Sequence, residues 1–476
     1  MSCRYVGRVV KTACLLAAAG FLVLYQLSAY EPGSPSAPSV AGDQAGTVFD
    51  RDASKGAVSP PVALERPSRK AVVAVEAIGR VLNLPTTVDR AEELTVAEEA
   101  AKDEDDPLQP TVTPLKNVRR MVDENNANAP ILNDANFAAF DREKDSVIVV
   151  QVHDRAHYLK VLVDSLRQVR GINTTLLVFS HDVFDENINA LVRAIDFCRV
   201  VQIFYPYSIQ LFPDRFPGQD PRDCPSNLKK QEAKLRNCQN WEHPDKYGHY
   251  RVAKYTQIKH HWWWKTNYVF EAIPLLRHYN RSVLFLEEDY FVSPDVLHTL
   301  NLIEAGMENF CPTCSLMVLG GYVKNNLHKL WNQQAEQLAV HPWYSSRHNL
   351  GMAMDRALWQ RIRNCSKMFC SFDDYNWDWS LMRLNLQCLK PQLWVVFPKA
   401  SRVFHIGDCG VHHKCKTQES ANRVRQVVLQ AAAVSKLFPS RMSVVERSKR
   451  TLKAPKENGG WADPRDHRLC LNNTRF

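Results

Sequence analysis

Three carboxylates follow one another at the end of a short apolar run. Residues 283–286 have the composition of a buried strand, and Glu287, Glu288 and Asp289 come directly after it. Ligands of open α/β sheets bind at the carboxyl ends of the strands, and acids this close repel one another unless a cation compensates their charge. The pattern predicts either a site for Mg²⁺ or Mn²⁺, held together with substrate phosphates, or a solvated acidic loop.

A second group of acids is interleaved with aromatic residues, in the order Phe372-Asp-Asp-Tyr-Asn-Trp-Asp-Trp-Ser380. Aromatic rings stack on the apolar face of a sugar, while neighbouring acids accept protons from its hydroxyl groups. A carboxylate that tryptophan partly desolvates is suited to act as a general base. The alternative is a helix N-terminus whose acids cap backbone N–H groups.

One histidine is a candidate ligand from a different part of the chain. His405 follows the apolar pair Val403-Phe404 and precedes Ile406-Gly407-Asp408. It is a candidate metal ligand supplied by a second loop, and a purely structural histidine is the alternative.

The elements that must position these groups alternate between strands and helices. Buried strands are predicted at 146–152, 175–180 and 199–205, and helices at 158–169 and 186–195. This alternation is typical of an α/β sheet with right-handed crossovers. Further strands are predicted at 283–286, 315–321, 347–354 and 395–397, with a helix at 356–363.

Polar residues close the first two strands, and they are candidates for binding a nucleotide. His153-Asp154-Arg155 ends the first strand, and His181-Asp182 ends the second. An acid there can accept from a ribose or a base, and Arg155 can face phosphate; surface loop residues are the alternative. No glycine-rich dinucleotide or P-loop motif is present.

A helical segment at 254–270 contains three adjacent tryptophans, Trp262, Trp263 and Trp264. Adjacent residues cannot all face one side of a helix. We therefore expect at least one of these rings to line a groove or to pack under a loop.

The cysteines indicate an oxidising compartment. Eleven of the 13 lie between Cys198 and Cys470, an odd number that leaves at least one thiol free, and Cys198 in its apolar context is the candidate. A disulfide between Cys224 and Cys238 is expected to close an irregular loop. The net charge of +9 is scattered along 476 residues, and there is no helix-turn-helix or zinc-finger spacing, so nucleic acid is not an expected partner.

The N-terminal segments predict a membrane anchor and a tether. Residues 1–11 are basic and 12–30 are uncharged and apolar, which predicts a cytosolic tail and a transmembrane signal-anchor, with a cleaved signal peptide as the alternative. Residues 31–135 are rich in Pro, Ser and acids and predict a flexible stem. Residues 136–476 are then a lumenal catalytic domain with four glycosylation sequons, the organisation of a type II Golgi membrane enzyme.

Several long motifs resemble those of the N-acetylglucosaminyltransferase II family. They are Phe216-Pro-Gly-Gln-Asp-Pro-Arg-Asp-Cys-Pro225, Lys259-His-His-Trp-Trp-Trp-Lys265, Leu286-Glu-Glu-Asp289, Asp373-Asp-Tyr-Asn-Trp-Asp-Trp379, His405-x-Gly-Asp-Cys409 and Asn458-Gly-Gly-Trp461. The resemblance covers about residues 140 to 470. It implies a GT-A fold, UDP-GlcNAc as the donor and Mn²⁺ as the cofactor. The implied reaction transfers GlcNAc in β1,2 linkage to the α1,6-arm mannose of a hybrid N-glycan, with inversion.

The resemblance also implies roles for individual residues. Asp378 is similar to the catalytic base, and Asp289 and His405 to the metal ligands. With Asp289 as the ligand, we expect Glu287 and Glu288 to shape the loop or to contact substrate. The segments similar to donor-binding segments are Gln151, Val152, His153, Asp154, Arg155, Asp182, Gln257, Ile258, Lys259, His260 and His261. The acceptor side comprises Tyr375, Trp377 and Asn326. The implied disulfides are Cys224–Cys238, Cys311–Cys314, Cys365–Cys388, Cys370–Cys470 and Cys409–Cys415.

Two positions depart from the family pattern. Asp154 stands where the family commonly has asparagine, and Asn326 stands where it has an arginine that contacts the acceptor. Two alternatives stay open: a related enzyme acting on the α1,3 arm, and a catalytically silent glycan-binding protein of the same fold. The oligomeric state also stays open, with a homodimer as one option.

Overall fold

A mixed sheet organises the part of the chain that the computed structural model describes, residues 113–321, 331, 333–407, 417–433, 436–448, 451–454 and 456–475. Its strands are β1 (Ile131–Leu132), β2 (Ser146–Val152), β3 (Thr175–His181), β4 (Arg199–Phe204), β5 (Val283–Glu287), β7 (Leu316–Val318), β8 (Gln337–Pro342), β9 (Met352–Met354), β10 (Trp394–Pro398) and β12 (Ser443–Arg447). They are ordered β1-β4-β3-β2-β5-β9-β7-β10-β8-β12. Outside this sheet, β6 (Tyr290–Val292) and β11 (Val403–His405) pair as an antiparallel ribbon.

The described helices alternate with the strands along much of the sequence. They are α1 (Leu115–Asn128), α2 (Ala156–Leu166), α3 (Glu186–Arg193), α4 (Lys230–Arg236), α5 (Ala253–Glu271), α6 (Val296–Ala305), α7 (Met307–Phe310), α8 (Arg356–Asn364), α9 (Ser366–Ser371), α10 (Trp377–Gln387), α11 (Thr417–Ala433) and α12 (Pro464–Asn472).

The sheet separates two apolar layers, because successive side chains of a strand point to opposite faces. On β2, Ile148 and Val150 belong to the core that contains residues of α2, α3 and α6. Val147 and Val149 belong to the core that contains residues of α5, α8 and α10. This burial on both faces is what the continuous β-branched run predicts, and the predicted strand at 146–152 is confirmed.

Four neighbouring strands run parallel and bring their carboxyl ends to one edge. The order is β4-β3-β2-β5, with Gln151 paired to Ser180 on one side and to Glu287 on the other. The residues that follow these strands therefore meet at the same edge, as in other open α/β sheets.

Helix α5 is buried around its circumference between this sheet and the C-terminal segments. Trp262, Trp263 and Trp264 are each at most 3% exposed. Trp263 packs on Trp359 and Phe369 in the core, whereas the ring of Trp262 also lines a pocket. The pocket has a volume of only about 10 Å³, so the expectation that one of the three lines a groove stays a prediction.

The folded region begins earlier than the predicted stem boundary at 136. Helix α1 packs through Val118 and Val122 against Phe204 and Leu211, and β1 pairs antiparallel with β4. The last part of the predicted stem is therefore folded, and its apolar residues pack against the catalytic region. The predicted tail, the anchor at 12–30 and the rest of the stem lie outside the described residues. Among the residues that the structure describes, no helix has the length and apolar character needed to cross a bilayer.

Four of the five implied disulfides are present. They are Cys224–Cys238, Cys311–Cys314, Cys365–Cys388 and Cys370–Cys470. Cys198 is a buried free thiol, as predicted. Cys409 and Cys415 lie outside the described residues.

Candidate active site

Asp289 and His405 lie side by side at one end of the two-stranded ribbon. Asp289 precedes β6, and His405 ends β11 opposite Tyr290. The backbone N–H of Ile406 donates to the carbonyl of Asp289 at 2.9 Å. The Nε2 atom of His405 is 3.4 Å from Oδ2 of Asp289, so the ribbon brings together the two metal ligands that the resemblance implies.

The two side chains favour each other's charged forms. Burial opposes ionisation of Asp289, but the His405 ring and the Arg155 guanidinium hold its pKa below the ordinary value. Burial also disfavours a charged His405, yet the Asp289 carboxylate raises its pKa above the ordinary value. Opposite charges at short distance account for both shifts.

These residues fit a divalent cation. Oδ1 of Asp289 is buried and has no hydrogen-bond partner in the described structure, which leaves one carboxylate oxygen with nothing to compensate it. A Cβ at Gly407 would lie 2.4 Å from Oδ2 of the same carboxylate, so the space beside it is open only because residue 407 is glycine. A carboxylate and an imidazole are ordinary ligands for divalent metals.

Glu288 holds the neighbouring loop rather than facing solvent. Its carboxylate accepts from the backbone N–H of His153 at 2.7 Å and from Nε of Arg155 at 2.6 Å. Nη1 of Arg155 donates to Asp289 at 2.9 Å. The loop after β2 is thereby tied to the acids after β5, a role that fits the expectation that Glu288 shapes this loop.

A second cluster of potential ligands lies at the ends of β2 and β3. Nδ1 of His153 is 2.6 Å from Oδ2 of Asp182, and Nδ1 of His261 is 3.7 Å from the same oxygen. The ligand atoms of these three residues lie within 4.8 Å of one another, which is close enough for a metal. Burial disfavours a charged His153, but the Asp182 carboxylate outweighs it and raises the pKa of His153 to about 9.

One face of α5 carries the residues that reach this edge. Gln257 donates to Asp182 at 3.1 Å, His261 contacts Ser180 at 2.8 Å, and Lys265 donates to Gln151 at 2.7 Å. These three residues are spaced by four along the helix, so they lie on one face. The sequence analysis assigned no role to Lys265. Its spacing of four residues from His261 could have placed it on the same face of the helix.

The remaining residues of the implied donor segments do not join this cluster. Val152 is wholly buried in the apolar core, Asp154 is exposed, and Ile258 packs beside the core. Lys259 and His260 face the C-terminal part of the chain, where Lys259 donates to the carbonyl oxygens of Phe372 and Asp374 and His260 contacts Asp466. A buried helix presents polar residues on several faces, and the sequence pattern did not separate them.

Asp378 lies in the first turn of α10. Its Oδ1 accepts from the backbone N–H of Trp379 at 2.9 Å, and Nδ2 of Asn349 donates to Oδ2 at 3.4 Å. Burial raises the pKa of Asp378 above the ordinary value, which increases the basicity of the carboxylate. Asn349 had no distinguishing signal in the sequence.

The aromatic residues beside Asp378 are held from both sides. The Trp377 ring stacks on Trp262 with 4.4 Å between ring centroids. Tyr375 stacks on Tyr255 at 5.2 Å. Asn326, the third residue on the implied acceptor side, lies outside the described residues.

A small pocket of about 10 Å³ lies among residues that neighbour the two acidic groups. Its lining includes Glu287, Lys265, Asn349 and Trp377. Glu287 is two residues from Asp289, and Asn349 and Trp377 both adjoin Asp378. The pocket therefore joins the segment that carries Asp289 to the residues that hold Asp378.

The fold and these two acidic groups define an α/β protein with a candidate group-transfer site. The family model of N-acetylglucosaminyltransferase II matches residues 119–470. The chain belongs to this family.

Named relatives agree with this assignment. The α-1,6-mannosyl-glycoprotein 2-β-N-acetylglucosaminyltransferase of Sus scrofa is 44% identical over 334 residues, covering 70% of this chain and 74% of that protein. The Homo sapiens enzyme of the same name is 42% identical over 335 residues, with 70% and 74% covered. Among solved structures, a Pyrobaculum calidifontis mannosyltransferase in complex with GDP-Man and Mn²⁺ shares 11% identity at a TM-score of 0.27, covering 76% of this chain and 80% of that one.

Proposed function

We propose that the chain transfers GlcNAc from UDP-GlcNAc in β1,2 linkage to the α1,6-arm mannose of hybrid N-glycans. Family membership supports the reaction, and so does the activity named for relatives that the chain covers over about three quarters of their length. The observation that carries the proposal is the Asp289–His405 pair, whose unpartnered Oδ1 and open flank at Gly407 suit a divalent cation.

Asp378 is the proposed general base. Its carboxylate takes the proton from mannose O2 while that oxygen forms a bond to C1 of GlcNAc. The bond from C1 to the UDP oxygen breaks, and UDP leaves with the electron pair. Because the attack is a single displacement on an α-linked donor, the product linkage is β. A base in this position contributes roughly 10²- to 10⁴-fold to the rate.

Asp289 and His405 are the proposed ligands of a divalent cation, Mn²⁺ in our proposal. When bound, such a cation acts as a Lewis acid that compensates charge on a diphosphate. Arg155, on the loop after β2, contributes a fixed positive charge beside Asp289, where it can pair with donor phosphate.

The edge formed by β2, β3 and α5 is the proposed binding place of the uridine. Asp182 offers an acceptor to ribose or base hydrogen-bond donors, and His153 and Gln257 orient its carboxylate. We also propose that the mixed sheet is a GT-A glycosyltransferase sheet, since its parallel strands β4-β3-β2-β5 end in these groups.

We propose a Golgi location with residues 12–30 as a signal-anchor and the catalytic domain in the lumen. The four disulfides support an oxidising compartment. Protease protection tests this orientation. The chain is tagged at each end and expressed in a secretory cell, and Golgi vesicles are treated with protease. We expect the C-terminal tag to be protected and the N-terminal tag to be cleaved.

A donor and acceptor screen tests the reaction. The full chain, purified in detergent, is incubated with UDP-GlcNAc, UDP-Gal or GDP-Man, and with hybrid glycans that expose mannose only on the α1,6 or only on the α1,3 arm. We expect transfer from UDP-GlcNAc to the α1,6 arm, with a β1,2 linkage seen by NMR. Transfer only to the α1,3 arm, or glycan binding without transfer, would overturn the proposal.

A further inference from the structure

Lys259 is a buried lysine on the opposite side of α5 from the proposed nucleotide edge. Its side chain is fully buried, and its Nζ donates to the carbonyl oxygens of Phe372 at 3.2 Å and Asp374 at 2.9 Å. The Trp461 ring lies 4.1 Å from the same nitrogen. A buried amine is costly unless it is hydrogen-bonded, so these contacts specify where the 372–374 backbone lies.

Asp374 is the centre of a second set of contacts in the same place. Its carboxylate is fully buried. Oδ1 accepts from the backbone N–H and from Nδ2 of Asn376, both at 2.9 Å. Oδ2 accepts from the backbone N–H of Asn458 at 2.8 Å and from its Nδ2 at 3.0 Å. One carboxylate therefore joins the residue before α10 to a loop from the C-terminal part of the chain.

The loop 458–461 is also joined to its partner segment through the backbone. Tyr375 donates its N–H to the carbonyl of Gly459, and Gly459 donates to the carbonyl of Asp373. The N–H of Trp461 donates to the Asp373 carboxylate at 2.9 Å. Gly459 and Gly460 have φ values of +81° and +76°, a conformation that favours glycine. The backbone conformation therefore explains why the Asn-Gly-Gly-Trp motif contains two glycines.

These contacts converge immediately before the proposed base. Asn376 is the N-terminal cap residue of α10, and Asp378 lies two residues later. The first turn of a helix moves with its cap, and a shift of about 1 Å in a reacting group can lower a rate by about 100-fold. We infer that Lys259, Asp374 and Asn458 form a clasp that positions the Asp378 carboxylate for proton removal. This inference rests on the proposed function.

Asn458 is the residue through which the clasp can be tested without unfolding the chain. It is exposed to solvent, so Asn458→Ala opens no cavity, yet it removes the Nδ2 donor to Asp374. Glu457→Gln is the matched control, because Glu457 is the preceding residue and its carboxylate pairs with Lys246 near the surface, where ion pairs contribute little to stability. Lys259→Met is a second variant, and it removes both hydrogen bonds from Nζ to the 372–374 backbone.

The experiment measures turnover and donor binding on the same full-length preparations. The concentration of working sites is taken from the stoichiometry of UDP binding in calorimetry with Mn²⁺, so that unfolded molecules do not contribute. For Asn458→Ala we expect kcat per UDP-binding site to fall about 10- to 100-fold, with the KM for UDP-GlcNAc and the Kd for UDP unchanged. Lys259→Met should give the same pattern with a lower Tm, and Glu457→Gln should match the wild type.

Each result leads to a different conclusion. An unchanged kcat per site in Asn458→Ala overturns the clasp while leaving the proposed function intact. A loss of UDP affinity that equals the loss of kcat also overturns it, since a general structural effect produces that pattern. No transfer by the wild type, despite normal UDP binding, overturns the proposed function and the inference together.

Discussion

The Nε2 atom of His405 lies 3.4 Å from the Oδ2 atom of Asp289, and neither residue belongs to the ten-stranded sheet of the described chain. Both are at one end of the β6–β11 ribbon, where Tyr290 pairs with His405. The other end is fixed by a buried ion pair between Asp295 and Arg402, with 3.0 Å between Oδ2 and Nε. Because a register slip of one residue would turn His405 to the other face of the ribbon, this anchor keeps the two groups together.

Two clusters could hold a metal, and substitutions distinguish them. We expect Asp289→Asn to weaken Mn²⁺-dependent UDP binding more than about 100-fold, since even outer partners of metal ligands contribute roughly 10- to 100-fold. Asp182→Asn should lower UDP affinity while keeping its dependence on Mn²⁺. Calorimetric titration of UDP with and without Mn²⁺ measures both. Loss of Mn²⁺ dependence in Asp182→Asn alone would assign the metal to His153, Asp182 and His261.

Asp378→Asn should remove the general base without disturbing the donor site. We expect kcat to fall roughly 10²- to 10⁴-fold, because asparagine keeps the shape of the side chain but cannot accept the proton. UDP affinity should stay at the wild-type value. The control is Asp164→Asn, which changes an exposed acid on α2 whose only described ion pair is with Lys160 at the surface. Near-normal turnover in Asp378→Asn would exclude the assignment.

The pairing of His153 with Asp182 predicts a pH-dependent contribution to stability. The pKa of His153 rises from 6.5 to about 9, which corresponds to roughly 3 kcal/mol. A raised pKa stabilises the fold fully below pH 6.5, and the contribution is lost as the pH rises through about 9. We expect the difference in free energy of unfolding between the wild type and His153→Gln to shrink over this interval, as measured by urea denaturation. A difference that grows with pH would contradict the pairing.

The disulfides should differ in their contribution to stability. Cys370 and Cys470 are 100 residues apart in sequence, whereas Cys311 and Cys314 are three apart. Closing a loop of about 100 residues stabilises a fold by about 4 to 5 kcal/mol in the chain-entropy model. We expect the double replacement of Cys370 and Cys470 by serine to lower Tm clearly more than the same replacement of Cys311 and Cys314. Equal losses in Tm would argue against the entropic account for this chain.

The central strands were predictable because each is a continuous apolar run with polar residues after it. The strand predicted at 146–152 has those bounds in the structure. The short strands β7 and β9 were predicted too long, since apolar residues continue past the paired backbone of 316–318 and 352–354. The local sequence predicts which residues are buried, but it does not predict where hydrogen-bonding to a neighbouring strand ends.

The candidate site was less accessible to sequence reasoning than the sheet. The pairing of Asp289 with His405 depends on a ribbon formed by distant segments, and only the resemblance to a known family connected them. Asn349 reaches Asp378 from the loop before β9 without any local motif. Lys259 was grouped with the donor residues because the family resemblance covered the whole segment 257–261. Its helix is buried on several sides over this stretch, and such burial hides which direction a polar residue takes.

Helix α5 has consequences for which changes in chain length this protein can accept. Gln257, His261 and Lys265 contact the strand edge, while Lys259 contacts the segment before α10. Inserting or deleting one residue turns everything after it by about 100°. A single indel between Lys259 and Lys265 would therefore separate the nucleotide edge from the clasp, even if every side chain were kept. Side chains in this segment can be substituted one at a time, whereas the number of residues between Lys259 and Lys265 is fixed by the contacts on both sides of the helix.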